Sequence, residues 1–255
     1  MNGKRKKLVI IFTVADVILL ILFLVGITYI TQYYKLSNNN KQIYNDIATI
    51  SNEIITNEVP KNVQKVINLK QENQDVVGWI QIDNTIINYP LLQSTDKEKD
   101  YYLIHNYKHE KTKYGSIYLY KDSNITDINS NVIIYGHNMK DEQMFNTLLK
   151  YETKDFYNEH KTIKIATEQA ESEYEIVSVF KSRVFYQDEE NVFRYYNYNN
   201  FESPETYNTY INNCKKIHLY DTGVTATYGE QLITLITCEY SKENGRMVVV
   251  AKKID

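Results

Sequence analysis

The sequence predicts a mainly β domain, built as a barrel or a sandwich and preceded by helices. Three observations support this class. Short β-prone runs alternate with polar turns from about residue 76 onward, helical periodicity is confined to a few stretches, and the first 75 residues contain an apolar span followed by an amphipathic stripe. Many short strands with few helices are typical of barrels and sandwiches.

The composition is that of one globular domain. Of the 255 residues, 43% are hydrophobic and 24% are charged, and Gly and Pro are few. Less an N-terminal apolar segment, this length allows one domain with a well-buried core. The formal net charge of -3 is too small to indicate a nucleic-acid partner. The 24 tyrosines against one tryptophan predict an aromatic-rich surface.

Residues 8–30 are almost wholly apolar and follow the basic cluster Lys-Arg-Lys-Lys at 4–7. Such a run is long enough to cross a hydrocarbon core of about 30 Å as a helix. The basic residues predict a cytoplasmic tail at 1–7, an anchor at 8–30 and an extracellular remainder. A cleaved signal peptide is the alternative, but the run exceeds the usual core of about 7–15 residues and lacks an Ala-x-Ala exit.

Helical stalk segments are predicted at 31–75, before the β-rich domain at 76–255. Pro60 interrupts a first helix, a second short helix surrounds Val63, Val66 and Ile67, and a polar linker follows at 71–75. Four isoleucines at spacings of four, three and four place one apolar stripe on the first helix: Ile43, Ile47, Ile50 and Ile54.

Strands are predicted from β-prone runs bounded by polar turns. The last two runs flank Asn244 and Gly245, a strong turn signal, and should pair as a hairpin. The runs are 77–82, 85–89, 115–119, 131–135, 162–166, 174–183, 231–238 and 246–252.

Two helices interrupt the series of strands. Asp141 is a good N-cap for a helix through Leu149. Ser203, Pro204 and Glu205 form a second helix start, with a capping hydroxyl, a proline at the first helical position and an acid near the positive end of the dipole.

The two cysteines have different sequence settings. Cys214 shares the helical stripe of Tyr207, Tyr210 and Ile211, which predicts a small buried core residue. Cys238 ends a buried β-run where a polar loop begins, a place where rigid scaffolds present reactive groups. A disulfide between them is the alternative, since exported chains can oxidise.

A nucleophilic cysteine needs a proton acceptor or a nearby positive charge, because a free thiol is only a few per cent thiolate at neutral pH. His137 follows the apolar run 131–135 and Gly136, so it lies at a strand exit. Hairpin pairing should bring Arg246 back toward Cys238. A metal site is the weaker reading, because His105 and His109 have no evident third ligand.

The residues around Cys238 resemble the sortase family. Thr-Leu-Ile-Thr-Cys at 234–238 matches the Thr-Leu-x-Thr-Cys signature, and Tyr-Gly-His-Asn-Met at 135–139 resembles the sortase histidine segment. Val-Gly-Trp-Ile at 77–80 and Asn-Tyr-Pro-Leu-Leu-Gln at 88–93 resemble the opening strands of class B members. The resemblance implies an eight-stranded sortase β-barrel with N-terminal helices and a helix in the connection between the sixth and seventh strands.

The resemblance also implies a reaction. Cys238 would attack the carbonyl after the Thr of a C-terminal sorting motif, of the Asn-Pro-x-Thr-Asn or x-Pro-x-Thr-Gly type, on a secreted protein. A cell-wall peptide amine would resolve the thioester. His137 would be the general acid and base, and Arg246 would hold the substrate and the oxyanion. Asn88, Leu92 and Glu239 match substrate-binding positions. No cofactor is expected.

Two other functions compete with this interpretation. A secreted cysteine hydrolase would resolve the thioester with water, but papain-like enzymes place Cys before His in the chain, whereas His comes first here. A membrane-anchored adhesion or binding module would make Cys238, His137 and Arg246 incidental. The presence of three reactive residue types at three predicted strand ends argues against that reading.

Overall fold

The computed structural model describes residues 3–50, 59–93 and 100–254. The chain divides into two compact units, with the boundary between Asn45 and Asp46. The first helix, α1 (Gly3–Ile50), contains the predicted apolar run. Its residues Leu8–Thr49 include a window of mean hydropathy 3.2 and are long and apolar enough to cross a membrane. The stripe residue Ile54 lies outside the described residues.

Helix α2 (Lys61–Glu72) follows Pro60, as the sequence predicts. It runs further than expected, so the polar linker before the first strand is reduced to residues 73–75. Val63, Val66 and Leu69 are buried on one face of this helix. The apolar spacing of three residues therefore does form a packed helical face.

Eight strands form a closed barrel, which confirms the predicted fold class. Around the barrel the order is β1-β2-β3-β4-β7-β8-β6-β5, with parallel pairing of β2 with β3 and of β4 with β7. The strands are β1 (Val76–Gln81), β2 (Asn88–Leu92), β3 (Ile117–Leu119), β4 (Asn131–Tyr135), β5 (Thr162–Ala166), β6 (Glu171–Arg183), β7 (Leu232–Cys238) and β8 (Gly245–Lys253).

The apolar runs of β4 and β7 are buried over nearly their whole length. A strand reads as a continuous apolar run when both of its faces are covered. Helix α4 (Pro204–Lys216) belongs to this core, and its buried Tyr210 shares a hydrogen bond of 2.8 Å with Thr234 of β7. The buried strand β7 is therefore fixed on the side that α4 covers.

Helix α4 starts where the sequence predicts it, between β6 and β7. The Ser203 side chain caps it by accepting a hydrogen bond from the Thr206 amide, and Pro204 occupies the first turn. Lys215 and Lys216 lie in the last turn, where a positive charge complements the helix dipole. This confirms the helix in the connection between the sixth and seventh strands.

The prediction of a helix that begins at Asp141 is wrong. Glu142 and Met144 have positive φ angles of 63° and 60°, which no right-handed helix contains. The Asp141 carboxylate accepts hydrogen bonds from the Tyr114 hydroxyl and from the side-chain amide of Gln143, so it does not cap a helix. A 3-10 helix (Asn146–Glu152) and the short helix α3 (Lys154–Glu159) follow instead.

The expectation of a tyrosine-rich surface is also partly wrong. Twelve of the 24 tyrosines are buried, among them Tyr102, Tyr114 and Tyr195. A tyrosine can be buried when its hydroxyl finds a partner, as Tyr102 does by donating to Asp75 at 2.7 Å. Composition alone does not separate such core tyrosines from surface ones.

Candidate functional site

Strands β7 and β8 place Cys238 directly opposite Arg246. The two residues are Cα partners in the antiparallel ladder, as the predicted hairpin requires. Asn244 adopts a left-handed φ of 53° in the turn, and a Cβ at Gly245 would lie 2.3 Å from the Glu239 carbonyl oxygen. The turn therefore requires a residue without a side chain at position 245.

Parallel pairing of β4 with β7 brings the histidine segment to the same end of the barrel. Tyr135 is the Cα partner of Ile236, so the residues that follow each strand emerge side by side. The Thr237 hydroxyl donates to the Gly136 carbonyl at 2.8 Å, and the side-chain amide of Asn138 donates to the Cys238 carbonyl at 2.9 Å. His137 lies between these two cross-connections.

The His137 ring is held by the main chain of another segment. Its Nε2 forms a hydrogen bond of 2.8 Å with the carbonyl oxygen of Leu103, in the 3-10 helix Tyr101–Leu103. The His137 carbonyl in turn accepts from the Phe145 amide at 2.9 Å. Both the ring and the backbone of this residue are therefore fixed by long-range contacts.

A groove of about 480 Å³ opens over Cys238. It is lined by the three residues that the sequence singled out, by five tyrosines and by a few others: His137, Cys238, Arg246, Tyr118, Tyr120, Tyr135, Tyr195, Tyr196, Asp100, Leu103, Gly136, Val184, Ile236 and Thr237. Burial raises the pKa of the Tyr118, Tyr135 and Tyr195 hydroxyls, and the positive charge of Arg246 opposes this only in part. These three phenols therefore stay neutral at physiological pH and form part of an aromatic groove wall.

Cys214 lies elsewhere, in the buried core beneath α4. Its side chain is fully buried, and burial raises the pKa of the Cys214 thiol well above its ordinary value. Both Cys214 and Cys238 are free thiols, so the disulfide alternative is wrong. The prediction that Cys214 is a core residue is confirmed.

The Sortase domain family model matches residues 80–254. A sortase B of Listeria monocytogenes is 36% identical over 224 residues, which are 86% of each chain. This chain belongs to the class B sortases. The family assignment makes the protein a cysteine transpeptidase.

Two solved sortase structures share the fold. A Staphylococcus aureus sortase B in complex with a substrate is 26% identical, with a TM-score of 0.74, and the match covers 87% of this chain and 99% of that one. A sortase B complexed with Gly3 is 27% identical, also with a TM-score of 0.74, over 86% of this chain and 99% of that one.

In this sortase the three residues expected to bind substrate lie outside the groove lining. Asn88 accepts a hydrogen bond of 2.7 Å from the Trp79 indole, and Leu92 is fully buried in β2. Glu239 accepts from the Ser241 amide and hydroxyl at 2.9 and 2.6 Å. Their role in substrate binding stays a prediction.

The sequence alone does not indicate that several other residues of this sortase line the groove. Asp100 and Leu103 come from the connection between β2 and β3, and Tyr195 and Tyr196 come from the connection between β6 and β7. The stretches around residues 100–103 and 195–196 have no periodicity that fixes their path. Within residues 3–50, 59–93 and 100–254, no group of three or more His, Cys, Asp or Glu is placed to hold a metal ion.

Proposed function

We propose that this sortase is a membrane-anchored extracellular enzyme that cleaves a C-terminal sorting motif after its Thr. The motif is of the Asn-Pro-x-Thr-Asn or x-Pro-x-Thr-Gly type, and the acceptor is an amine of a cell-wall peptide. The observation that carries the proposal is the shared groove, which brings His137, Cys238 and Arg246 together from β4, β7 and β8.

In the proposed mechanism, Cys238 is the nucleophile. Its thiol gives a proton to His137, its Sγ attacks the carbonyl carbon of the Thr residue, and a tetrahedral oxyanion forms. The bond between this carbon and the next nitrogen breaks, the leaving amine takes a proton from His137, and a thioester remains on Cys238. The acceptor amine then gives a proton to His137 and attacks the thioester, and the departing Cys238 sulfur takes this proton from His137 to restore the thiol. Proton transfer of this kind contributes about 10²–10⁴-fold to the rate.

Arg246 is suited to the oxyanion. Its Nη1 donates to the carbonyls of Asn244 and Gly245 at 3.2 and 2.8 Å, which anchors the guanidinium at the turn. A guanidinium has three further donors on Nη2 and Nε. A fixed cation with donors toward the groove stabilises charge as it develops in the transition state.

The partners follow from the family and from the chemistry. One similar structure is a Staphylococcus aureus sortase B with a substrate, and another is a sortase B with Gly3. By analogy, we propose that this chain takes a secreted protein with a sorting signal as its acyl donor and a peptide amine as its acceptor. A peptide can lie along the aromatic groove by using its backbone polar groups and apolar side chains.

The proposed topology has a cytoplasmic tail at 1–7, an anchor at 8–30, a helical stalk at 31–75 and a catalytic domain at 76–255. Its support is the exposed apolar surface of α1 and the basic cluster before it. Both substrates of such an enzyme arrive at the outer membrane face. Tethering the enzyme there replaces a three-dimensional search with a local one.

The test uses the full chain in detergent with quenched fluorescent peptides that carry the candidate motifs, with and without an amine acceptor. Cleavage is expected after Thr, with an acceptor-linked product, and it should be lost in Cys238→Ala, His137→Ala and Arg246→Ala. Cys214→Ala is the matched control and should keep the activity. Cleavage that survives Cys238→Ala would refute the mechanism, and a product formed with water alone would favour the hydrolase.

A further inference from the structure

The ring of His137 is oriented by a main-chain carbonyl. A carbonyl oxygen can only accept, so the 2.8 Å bond to Leu103 requires a proton on Nε2 of His137. In the neutral ring the lone pair then lies on Nδ1, which is the nitrogen left for proton transfer. Many nucleophilic enzymes use the carboxylate or amide of a third side chain for this purpose.

The segment that carries the Leu103 carbonyl is itself held by a neighbouring loop. The loop residue Ser116 binds this segment twice, since its amide donates to the Tyr102 carbonyl at 2.9 Å and its hydroxyl donates to the His105 carbonyl at 2.9 Å. The buried Tyr102 side chain anchors the same turn by donating to Asp75 at 2.7 Å. The Leu103 side chain is 38% exposed, so the position of this residue depends mainly on its backbone.

Gly115 allows this close approach. Its φ is +53°, and a Cβ at this position would lie 2.4 Å from the Leu103 carbonyl oxygen and 2.6 Å from the Tyr102 carbonyl oxygen. Real Cβ atoms do not come so close to a backbone oxygen, so any side chain here displaces the carbonyl that binds His137. The residue at 115 therefore controls the position of the acceptor.

We propose that Gly115 and the Leu103 carbonyl form a positioning device that sets the tautomer and the orientation of His137. The inference rests on the proposed catalytic role of His137 and adds a residue that does not touch substrate. Displacing the carbonyl leaves Cys238 and Arg246 in place but frees the imidazole to rotate. Proton transfer then slows, while the groove still binds the peptide.

The first experiment compares Gly115→Ala with Gly223→Ala in the full chain. Gly223 also has a positive φ, +75°, but no atom lies within 4 Å of its Cβ position. Both variants bear the cost of alanine in a left-handed conformation, and only the first has the backbone clash. Gly115→Ala should lower kcat about 10²-fold with little change in KM, as an ångström-scale misplacement does. Gly223→Ala should stay within about twofold of the unmodified enzyme.

A second readout is the tautomer of His137, measured from the ring ¹⁵N chemical shifts. The Nε2–H form is expected in the unmodified chain and in Gly223→Ala, and a mixture of forms is expected in Gly115→Ala. A loss of activity through general destabilisation would not change the tautomer. A Gly115→Ala enzyme with unchanged kcat and an unchanged tautomer would overturn the proposal.

If Gly115→Ala does not fold, replacing the amide between Leu103 and Ile104 with an ester decides the question. This change makes the Leu103 carbonyl a weaker acceptor, and it also removes the Ile104 N–H, which donates to the Tyr101 carbonyl at 3.4 Å. Because one hydrogen bond contributes about 0.5–1.5 kcal/mol, kcat should fall by about three- to tenfold. If the ester variant keeps the full kcat and the Nε2–H tautomer, the proposed positioning of His137 by the Leu103 carbonyl is refuted. Activity retained by His137→Ala would instead refute the proposed function itself.

Discussion

The two cysteines of this sortase lie in opposite environments. Cys214 is completely buried in α4 among Phe180, Tyr207 and Tyr210, and its pKa is raised by that burial. Cys238 is partly exposed at the last position of β7 and lines an open groove. The same side chain thus occurs once as a core residue and once at a solvent-facing site.

The difference shows that the position of each cysteine in the fold decides whether its thiol is exposed. The first six residues of β7 are buried and the seventh emerges, so the end of the strand presents its thiol beside Arg246. On α4, Cys214 is on the buried face with Tyr210, and it does not line the groove that contains Cys238. The following experiments test this difference between the two cysteines.

The largest expected effect is on catalysis. Cys238→Ala should lower kcat/KM by about 10⁴-fold or more, because removing a nucleophile leaves only binding and oxyanion stabilisation. Cys214→Ala should stay within about threefold of the unmodified enzyme. Steady-state cleavage of the best sorting peptide measures both. Equal losses in the two variants would show that the contrast in burial does not govern activity.

The next effect is on thiol modification in the folded protein. Iodoacetamide should modify Cys238 at least about 10³ times faster than Cys214, because reaction at Cys214 requires an opening that costs much of the stability of the domain. Peptide mass spectrometry after timed quenching gives both rates. In denaturant the rates should become similar. Comparable rates in the native protein would contradict the buried position of Cys214.

Arg246 is the neighbour that distinguishes the Cys238 environment. Arg246→Ala should lower kcat by about 10²–10³-fold, as expected for the loss of an oxyanion donor. Lys252 is a cation at the far end of the same strand, where it pairs with Glu230 at 3.0 Å, and Lys252→Ala is the matched control with an expected change within threefold. Single-turnover acylation rates measure the effect, and an Arg246→Ala rate equal to the control would remove Arg246 from the mechanism.

The smallest expected effect is on stability at high pH. The Cys214 thiol keeps its proton in the folded state, whereas in the unfolded chain it titrates near pH 8.5. Its contribution is fully present below that pH and is lost as the pH rises, at up to about 1.4 kcal/mol per unit. The unfolding free energy of the unmodified chain minus that of Cys214→Ala should therefore fall by about 1 kcal/mol between pH 9 and 10. Urea titrations at both pH values measure it, and a constant difference would contradict the raised pKa.

Much of the barrel is predictable from the sequence because its signals are local. The apolar runs of β4 and β5 are bounded by polar turns, and the predicted 131–135 and 162–166 match the observed strands. The cap at Ser203 places α4 correctly. The turn at Asn244 sets the register of β7 on β8, and this register alone makes Cys238 and Arg246 neighbours.

The features that the sequence does not predict depend on contacts between distant segments. Asp141 has the sequence of a helix cap, but Tyr114 binds its carboxylate and the backbone turns instead. The groove wall at Leu103 and Tyr196 comes from irregular connections whose course is set by tertiary packing, which leaves no periodic pattern. The bond from His137 to Leu103 spans 34 residues and joins a side chain to a carbonyl, so residue types alone do not indicate it.

The central claim is that Cys238 carries the acyl group between the two substrates. The most direct measurement is mass spectrometry of the full chain, quenched in acid during turnover of a sorting peptide without an acceptor amine. We predict a mass increase equal to the peptide up to its Thr, located on the fragment that contains Cys238 and removed by added amine. Product formation without any acyl adduct on Cys238, or with the adduct on another residue, would contradict the account.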